Sequence, residues 1–243
     1  MLPIKDRTEA GRCLGEALKS YRDRDDVLVL GLPRGGVPVA CEVAESLGAQ
    51  VDLIVVRKLG TPGQSELAMG AIASGGARVL NQNVIFSLHI KDKVIEEVAS
   101  REKLELERRE RAYRDNRARP AVEGKCVILV DDGVATGATM RAAISALRRQ
   151  KPARIVVAIP LAPPDTVEVL RGEADEVVCL ETPEPFWAIG QWYVEFPQLT
   201  DDEVRERLAR AWKITDERQR ASRKSERRPD GDSASPQKAM GNR

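Results

Sequence analysis

Val127-Ile-Leu-Val-Asp-Asp-Gly-Val-Ala-Thr-Gly-Ala-Thr139 is the stretch on which the reading of this chain turns. A continuous apolar run ends in two adjacent acids, Asp131 and Asp132. A loop of small residues and hydroxyls follows, then a helix-compatible segment from Met140 to Gln150. The pattern predicts a buried strand that delivers two carboxylates to its C-terminal edge, beside a loop that opens a helix. Free backbone N–H groups at such a helix start bind a phosphate, and small residues let the backbone come close to it. The neighbouring carboxylates suit hydroxyl groups or a hydrated Mg2+. A ligand with both a phosphate and vicinal hydroxyls is a ribose 5-phosphate. The plainer alternative, a strand capped by Asp at a tight turn, needs neither two acids nor two threonines. A nucleotide-binding P-loop would require a Gly-Lys-Ser/Thr that does not follow.

Other parts of the chain point to the same place. Aliphatic runs at Val27–Leu30, Val51–Val56, Arg154–Ile159 and Glu176–Leu180 read as further buried strands. Helix-length segments at Val37–Leu47, Met140–Gln150 and Asp165–Arg171 lie among them, and Thr8 to Tyr21 reads as an opening helix with Thr8 as its cap. Alternating strands and helices with continuous apolar strands predict an α/β fold: a doubly wound, mainly parallel five-stranded sheet with helices on both faces. In such sheets ligands sit beyond the C-terminal strand ends, and the loops 31–36, 57–66 and 131–139 each follow a strand.

Gly31-Leu-Pro-Arg-Gly-Gly36 has paired glycines next to an arginine at a helix start, which suits an anion. The backbone would donate N–H groups and Arg34 a fork of donors. Arg57 and Lys58 follow the second strand; a basic pair there is costly inside a core, so it faces solvent or a ligand. Glu66 reads either as a base or server of a metal-bound water, or as a plain strand-end acid.

The Val127–Thr139 stretch resembles the signature of the type I phosphoribosyltransferases, which bind phosphoribosyl pyrophosphate (PRPP). A nearer similarity, to bacterial phosphoribosyltransferase-like proteins of uncharacterised activity, runs through Arg57-Lys-Leu-Gly60 and Val130-Asp-Asp-Gly-Val-Ala-Thr-Gly-Ala-Thr139. The resemblance implies transfer of the ribosyl 5-phosphate group to a nitrogen nucleophile such as a nucleobase, with release of pyrophosphate. It implies Mg2+ held through PRPP near Asp131 and Asp132, with no side chain named as a direct metal ligand. Catalytic roles then fall to Asp131, Asp132 and Lys58. Val134, Ala135, Thr136, Gly137, Ala138 and Thr139 would wrap the 5-phosphate. Pro33, Arg34, Gly35 and Gly36 would hold pyrophosphate, with Arg57 in reserve to Lys58. A variable hood, about residues 181–199, would accept the nucleophile; Phe186 or Trp187 either stacks on it or pins the loop to the core. By the same analogy a homodimer is expected. A PRPP-sensing protein without catalysis is the alternative, and an unrelated doubly wound domain binding another phosphate is a further rival.

Between 92 and 117 the chain is charge-dense: sixteen of twenty-six residues are ionic, with acid-to-base pairs at four-residue spacing that support a helix. Two readings stand, a solvated helix packed on one side or a cover bringing Arg109, Arg111 or Arg114 to a phosphate. A phosphoribosyltransferase-like domain over 1–216 is expected, followed by a tail from 217 to 243. That tail holds eight basic and four acidic residues and little apolar surface, so it is expected to stay disordered. With 39 basic and 38 acidic residues overall, binding to nucleic acid through bulk charge is not indicated. The four cysteines lack any metal-ligand spacing and sit in apolar contexts, as buried free thiols do. His89 lies outside every motif. No apolar run reaches the roughly 18 residues of a membrane span, and no signal-peptide core is evident, so a cytoplasmic location is expected.

Overall fold

Val27-Leu-Val-Leu30 divides its side chains between two hydrophobic layers, Val27 and Val29 in one, Leu28 and Leu30 in the other. Cys126–Val130 does the same, with Ile128 and Val130 on the first side and Val127 and Leu129 on the second. A strand buried on both faces has no need of a polar alternation, which is why these runs read as continuously apolar.

The computed structural model describes residues 2–115 and 117–226, the side chains at 65, 66 and 219–226 excepted. Its strands are β1 (Val27–Gly31), β2 (Gln50–Leu53), β3 (Val56–Thr61), β4 (Gln64–Ala73), β5 (Ala77–Leu80), β6 (Cys126–Val130), β7 (Arg154–Leu161) and β8 (Glu176–Glu181). Its α-helices are α1 (Arg7–Ala17), α2 (Gly36–Leu47), α3 (Gln82–Ser87), α4 (Asp92–Arg114), α5 (Ala138–Arg148), α6 (Pro164–Arg171) and α7 (Asp201–Glu226). Five strands form the expected parallel sheet in the order β2-β1-β6-β7-β8. Helices α1, α2, α4 and α7 contribute to the core on one face, α5 and α6 to the core on the other. From β1 the chain winds one way to β2, whereas β6, β7 and β8 extend the other way. The strand order therefore reverses between β1 and β6, and a crevice opens there at the C-terminal edge.

Helix α1 approaches α2 closely because glycines line the contact. A Cβ on Gly11 would lie 2.5 Å from the Glu42 Cβ, and one on Gly15 2.5 Å from the Ser46 Cβ. The helix is capped by Asp6, whose carboxylate accepts from the Glu9 N–H at 2.8 Å, not by Thr8 as expected. A cap must sit outside the helical turn, and Thr8 is already inside it.

Three other expectations are corrected. The second strand ends at Leu53, and 57–66 is not a loop: β3, β4 and β5 make a separate antiparallel sheet. The Pro62-Gly63 turn, with Gly63 at φ +78°, joins its first two strands. β4 escaped the sequence reading because Ala-Met-Gly-Ala-Ile-Ala carries weak strand propensity. Helix α7 continues to Glu226, so the first ten residues of the expected disordered tail are helical. Val204 and Leu208 are fully buried, and the Trp212 indole donates to the Val51 carbonyl at 2.9 Å, which fastens α7 over the β2 edge. All four cysteines are free, but only Cys126 is fully buried. The Glu66 side chain and the tail from 227 to 243 lie outside the described residues.

The charge-dense segment is helix α4, and it packs on one side through Ile95, Val98, Ala99, Leu106 and Tyr113. Its apolar stripe looked patchy because acids occupy two of its positions. Glu102 meets Arg57 at 2.6 Å, and Glu110 lies beside Arg114 and Arg119. Arg114 is buried against Asp52 and the Leu53 carbonyl, which removes it from any role as a phosphate-binding cover. Arg109 is held by Glu105 at 2.8 Å. Among the described residues no helix is long and apolar enough to cross a membrane.

Candidate active site

β1 and β6 are direct neighbours, Gly31 opposite Val130, and the Leu32 N–H continues the ladder onto the Val130 carbonyl at 2.9 Å. Register alone therefore places residues 32–36 beside Asp131 and Asp132. The approach is very close. A Cβ on Gly35 would meet Asp132 Oδ2 at 1.9 Å, and one on Gly36 would meet the Val130 carbonyl at 2.6 Å and the Asp131 Cα at 2.8 Å. Only glycine lets the two loops share this edge.

Beyond the acids, Val134 is tied to the Leu161 carbonyl at 2.9 Å, and the Ala135 carbonyl accepts from the Thr166 hydroxyl of α6 at 2.7 Å. Gly137, at φ +75°, turns the chain into α5, so the first-turn N–H groups of that helix point out beside exposed Thr136 and Thr139. Such a helix start carries partial positive charge and orphan donors, the requirements for a phosphate. The structure thus brings together all of the expected 131–139 residues and the 33–36 loop.

The two acids differ. Asp132 is buried, and its Oδ2 accepts from the Arg7 Nε at 2.8 Å. Its carbonyl accepts from the Tyr193 hydroxyl at 2.7 Å. Asp131 is half-buried, and its Oδ1 accepts from the Asp132 N–H at 2.9 Å. Burial, and then the charge of Asp132, hold the Asp131 carboxyl well above the usual carboxylate range; Arg7 acts in the opposite direction. Burial and the same acids push the Tyr193 phenol up as well.

The remaining expected residues are more dispersed. Arg34 leans toward Asp201 at the start of α7, 4.0 Å away, where Asp201 also accepts from the Tyr113 hydroxyl at 2.8 Å. Lys58 lines a cleft of about 820 Å3 with Thr139, Arg101 and Glu102, and a second of about 550 Å3 with Ala138 and Arg141. It therefore stands on the flank of the 131–139 loop. Arg57 is committed to Glu102 through two hydrogen bonds, at 2.6 and 3.0 Å, so its reserve role would require breaking a partly buried ion pair. Phe186 packs toward Trp192, Ile189 and Tyr193 in a small satellite core, which makes it a pin of the 181–199 segment, whereas Trp187 is 79% exposed. A groove of about 840 Å3 between α1, α2 and α7 lies apart from these loops.

Sequence reasoning missed Arg7 and Asp201 and gave Tyr193 no role. Arg7 lies 125 positions from Asp132, and a lone arginine in a helix's first turn carries no local sign of such a partner.

The phosphoribosyl transferase domain family matches residues 8–196. Relatives named "putative phosphoribosyl transferase" in Mycobacterium tuberculosis strains CDC 1551 / Oshkosh and H37Rv are 48% identical over 206 residues, 85% of this chain and 46% of theirs. The chain spans about half the length of these curated relatives. The crystal structure of TT1426 from Thermus thermophilus is similar with a TM-score of 0.77 at 44% identity, over 85% of this chain and 98% of that one. With the acid pair, the helix-start loop and the glycine loop meeting at one sheet edge inside the matched span, the chain belongs to the phosphoribosyl transferase domain family.

Proposed function

We propose that the chain transfers the ribosyl 5-phosphate group of PRPP to a nitrogen nucleophile, a nucleobase in the reading favoured here, and releases pyrophosphate. The observation that carries this is the meeting of two anion-binding loops across the β1–β6 switch point, with a carboxylate pair between them. The N–H groups of 136–139 hold the 5-phosphate, Asp131 and Asp132 face the ribose hydroxyls, and 33–36 with Arg34 takes the pyrophosphate. The bond from the anomeric carbon to the pyrophosphate oxygen breaks as the bond to nitrogen forms, and positive charge develops on the sugar. Fixed donors on the phosphates and exclusion of water lower that barrier without covalent attack by the protein. Lys58 neutralises phosphate charge from the flank of α5.

A half-buried carboxylate beside both phosphate loops fits an ion that arrives with its substrate and keeps several waters. Mg2+ bound there would neutralise the leaving pyrophosphate. Trp187 offers an exposed ring to a planar acceptor.

The test is pyrophosphate release from PRPP and Mg2+ across purines, pyrimidines and small amines, with thermal shift on the same samples. Release stimulated by one acceptor supports the assignment and names the substrate class. Stabilisation without release moves the assignment to PRPP sensing, and neither effect refutes both.

A further inference from the structure

Asp132, one of the two acids assigned to the sugar, already has a cation. Arg7 Nε donates to its Oδ2 at 2.8 Å, and each side chain of the pair is 11% exposed. The guanidinium is itself fixed on two further sides. Its Nη1 donates to the Pro197 carbonyl at 2.9 Å, and its central carbon lies over the Phe196 ring, 3.9 Å from the ring centre. Phe196 stacks on Tyr193 at 4.8 Å, and the Tyr193 hydroxyl returns to the Asp132 carbonyl at 2.7 Å. The same Oδ2 is also the carboxylate atom nearest Gly35. Asp6 fixes the first turn of α1, which carries Arg7, and the glycine contacts lock α1 onto α2, whose N-terminus is the 33–36 loop.

An unbroken set of contacts thus runs from Arg7 through Asp132 to the pyrophosphate loop. A free sugar-binding acid needs no such clamp. Asp131 has no ion pair among the described residues and is more open.

We propose that Arg7 is a positioning residue for the phosphoribosyl site: it neutralises Asp132 and fixes its carboxylate against Gly35, so that Asp131 is the acid that accepts from a ribose hydroxyl. This rests on the reading that PRPP occupies the crevice. Packing against Gly35 keeps Asp132 between the β1 and β6 loops, while Arg7 sets the charge and orientation of its carboxylate. Arg7 acts through it on the sugar and not on the phosphates.

The experiment is calorimetric titration of the full chain with PRPP and, separately, with inorganic pyrophosphate, both with Mg2+. Arg7→Gln is expected to weaken PRPP about tenfold, the scale of one charge-assisted hydrogen bond, and to change pyrophosphate by less than about twofold. Arg7→Lys keeps the charge and recovers most of the PRPP affinity. In an Asp132→Asn background Arg7→Gln adds little, because its partner is already gone. Should Arg7→Gln not fold, Phe196→Leu removes the ring beneath the guanidinium while leaving the ion pair, and it is expected to weaken PRPP selectively. Equal weakening of both ligands, or none, overturns the proposal and leaves the PRPP assignment standing. A wild-type chain that does not bind PRPP overturns that assignment, and this inference with it.

Discussion

Gly35→Ala isolates the closest contact in the crevice. Gly35 has φ −65° and ψ −33°, a conformation any residue adopts, so the backbone accepts alanine and the cost is purely one of space. The added methyl would start 1.9 Å from Asp132 Oδ2 and 2.3 Å from its Cγ, where ordinary contact begins at 3.4 Å. Asp132 cannot yield freely, since Arg7 and Tyr193 hold it at 2.8 and 2.7 Å. Moving it far enough breaks the Arg7 bond, worth about 1.5–3 kcal/mol for a hydrogen bond between charged groups. The residual overpacking costs about 1–3 kcal/mol. Reduced freedom of the unfolded chain offsets about 0.4–1 kcal/mol. The net loss is about 3 kcal/mol, which for a domain of this size lowers Tm by about 6–12 °C. Urea unfolding and PRPP titration check it, with Gly172→Ala as control, whose nearest neighbour would be 3.4 Å away. A Gly35→Ala chain with wild-type stability and PRPP affinity would refute the claim that the two loops and Asp132 form one packed unit.

Three further outcomes are expected. Asp131→Asn separates binding from stability. The folded-state pKa of Asp131 lies above its unfolded value of about 3.9, so its ionisation weakens the fold as pH rises from that value through the folded one. The variant should lose that slope and unfold at a higher temperature than wild type at pH 7 while losing PRPP affinity; a lower Tm at pH 7 contradicts it. Gly137→Ala places a side chain at φ +75° and 3.1 Å from the Thr166 methyl, and should cost about 1–2 kcal/mol and weaken inorganic phosphate and PRPP alike by thermal shift. Arg57→Gln removes a partly exposed pair with Glu102 and should cost about 1 kcal/mol by urea titration. It should leave PRPP affinity within about twofold; a tenfold loss would return Arg57 to the phosphate site.

Where burial is two-sided and the ligand is polar, this sequence is transparent. β1, β6 and, beyond exposed Arg154, β7 are apolar because both faces are covered, and the loops that follow β1 and β6 carry residues a core cannot use. Hence Asp131, Arg34 and Thr136 stood out. The β3–β5 sheet did not, because its strands are rich in alanine and glycine; Gly70 is there for the Val79 carbonyl, which a Cβ would meet at 2.4 Å. Helix α7 did not either, since its anchors Val204, Leu208 and Trp212 are spread among charged residues. Arg7 was hidden for another reason: its meaning lies in a partner 125 residues away, and only the folded chain joins them. The unequal surroundings of adjacent Asp131 and Asp132 come in part from that same long-range contact.

A crystal structure of the chain with PRPP and Mg2+ tests the central claim most directly. The 5-phosphate is predicted on the N–H groups of 136–139, a ribose hydroxyl on Asp131, and the pyrophosphate on residues 33–36 with Arg34 turned from Asp201 toward it. PRPP lodged elsewhere, such as the groove between α1, α2 and α7, with the β1–β6 crevice vacant, would contradict the account.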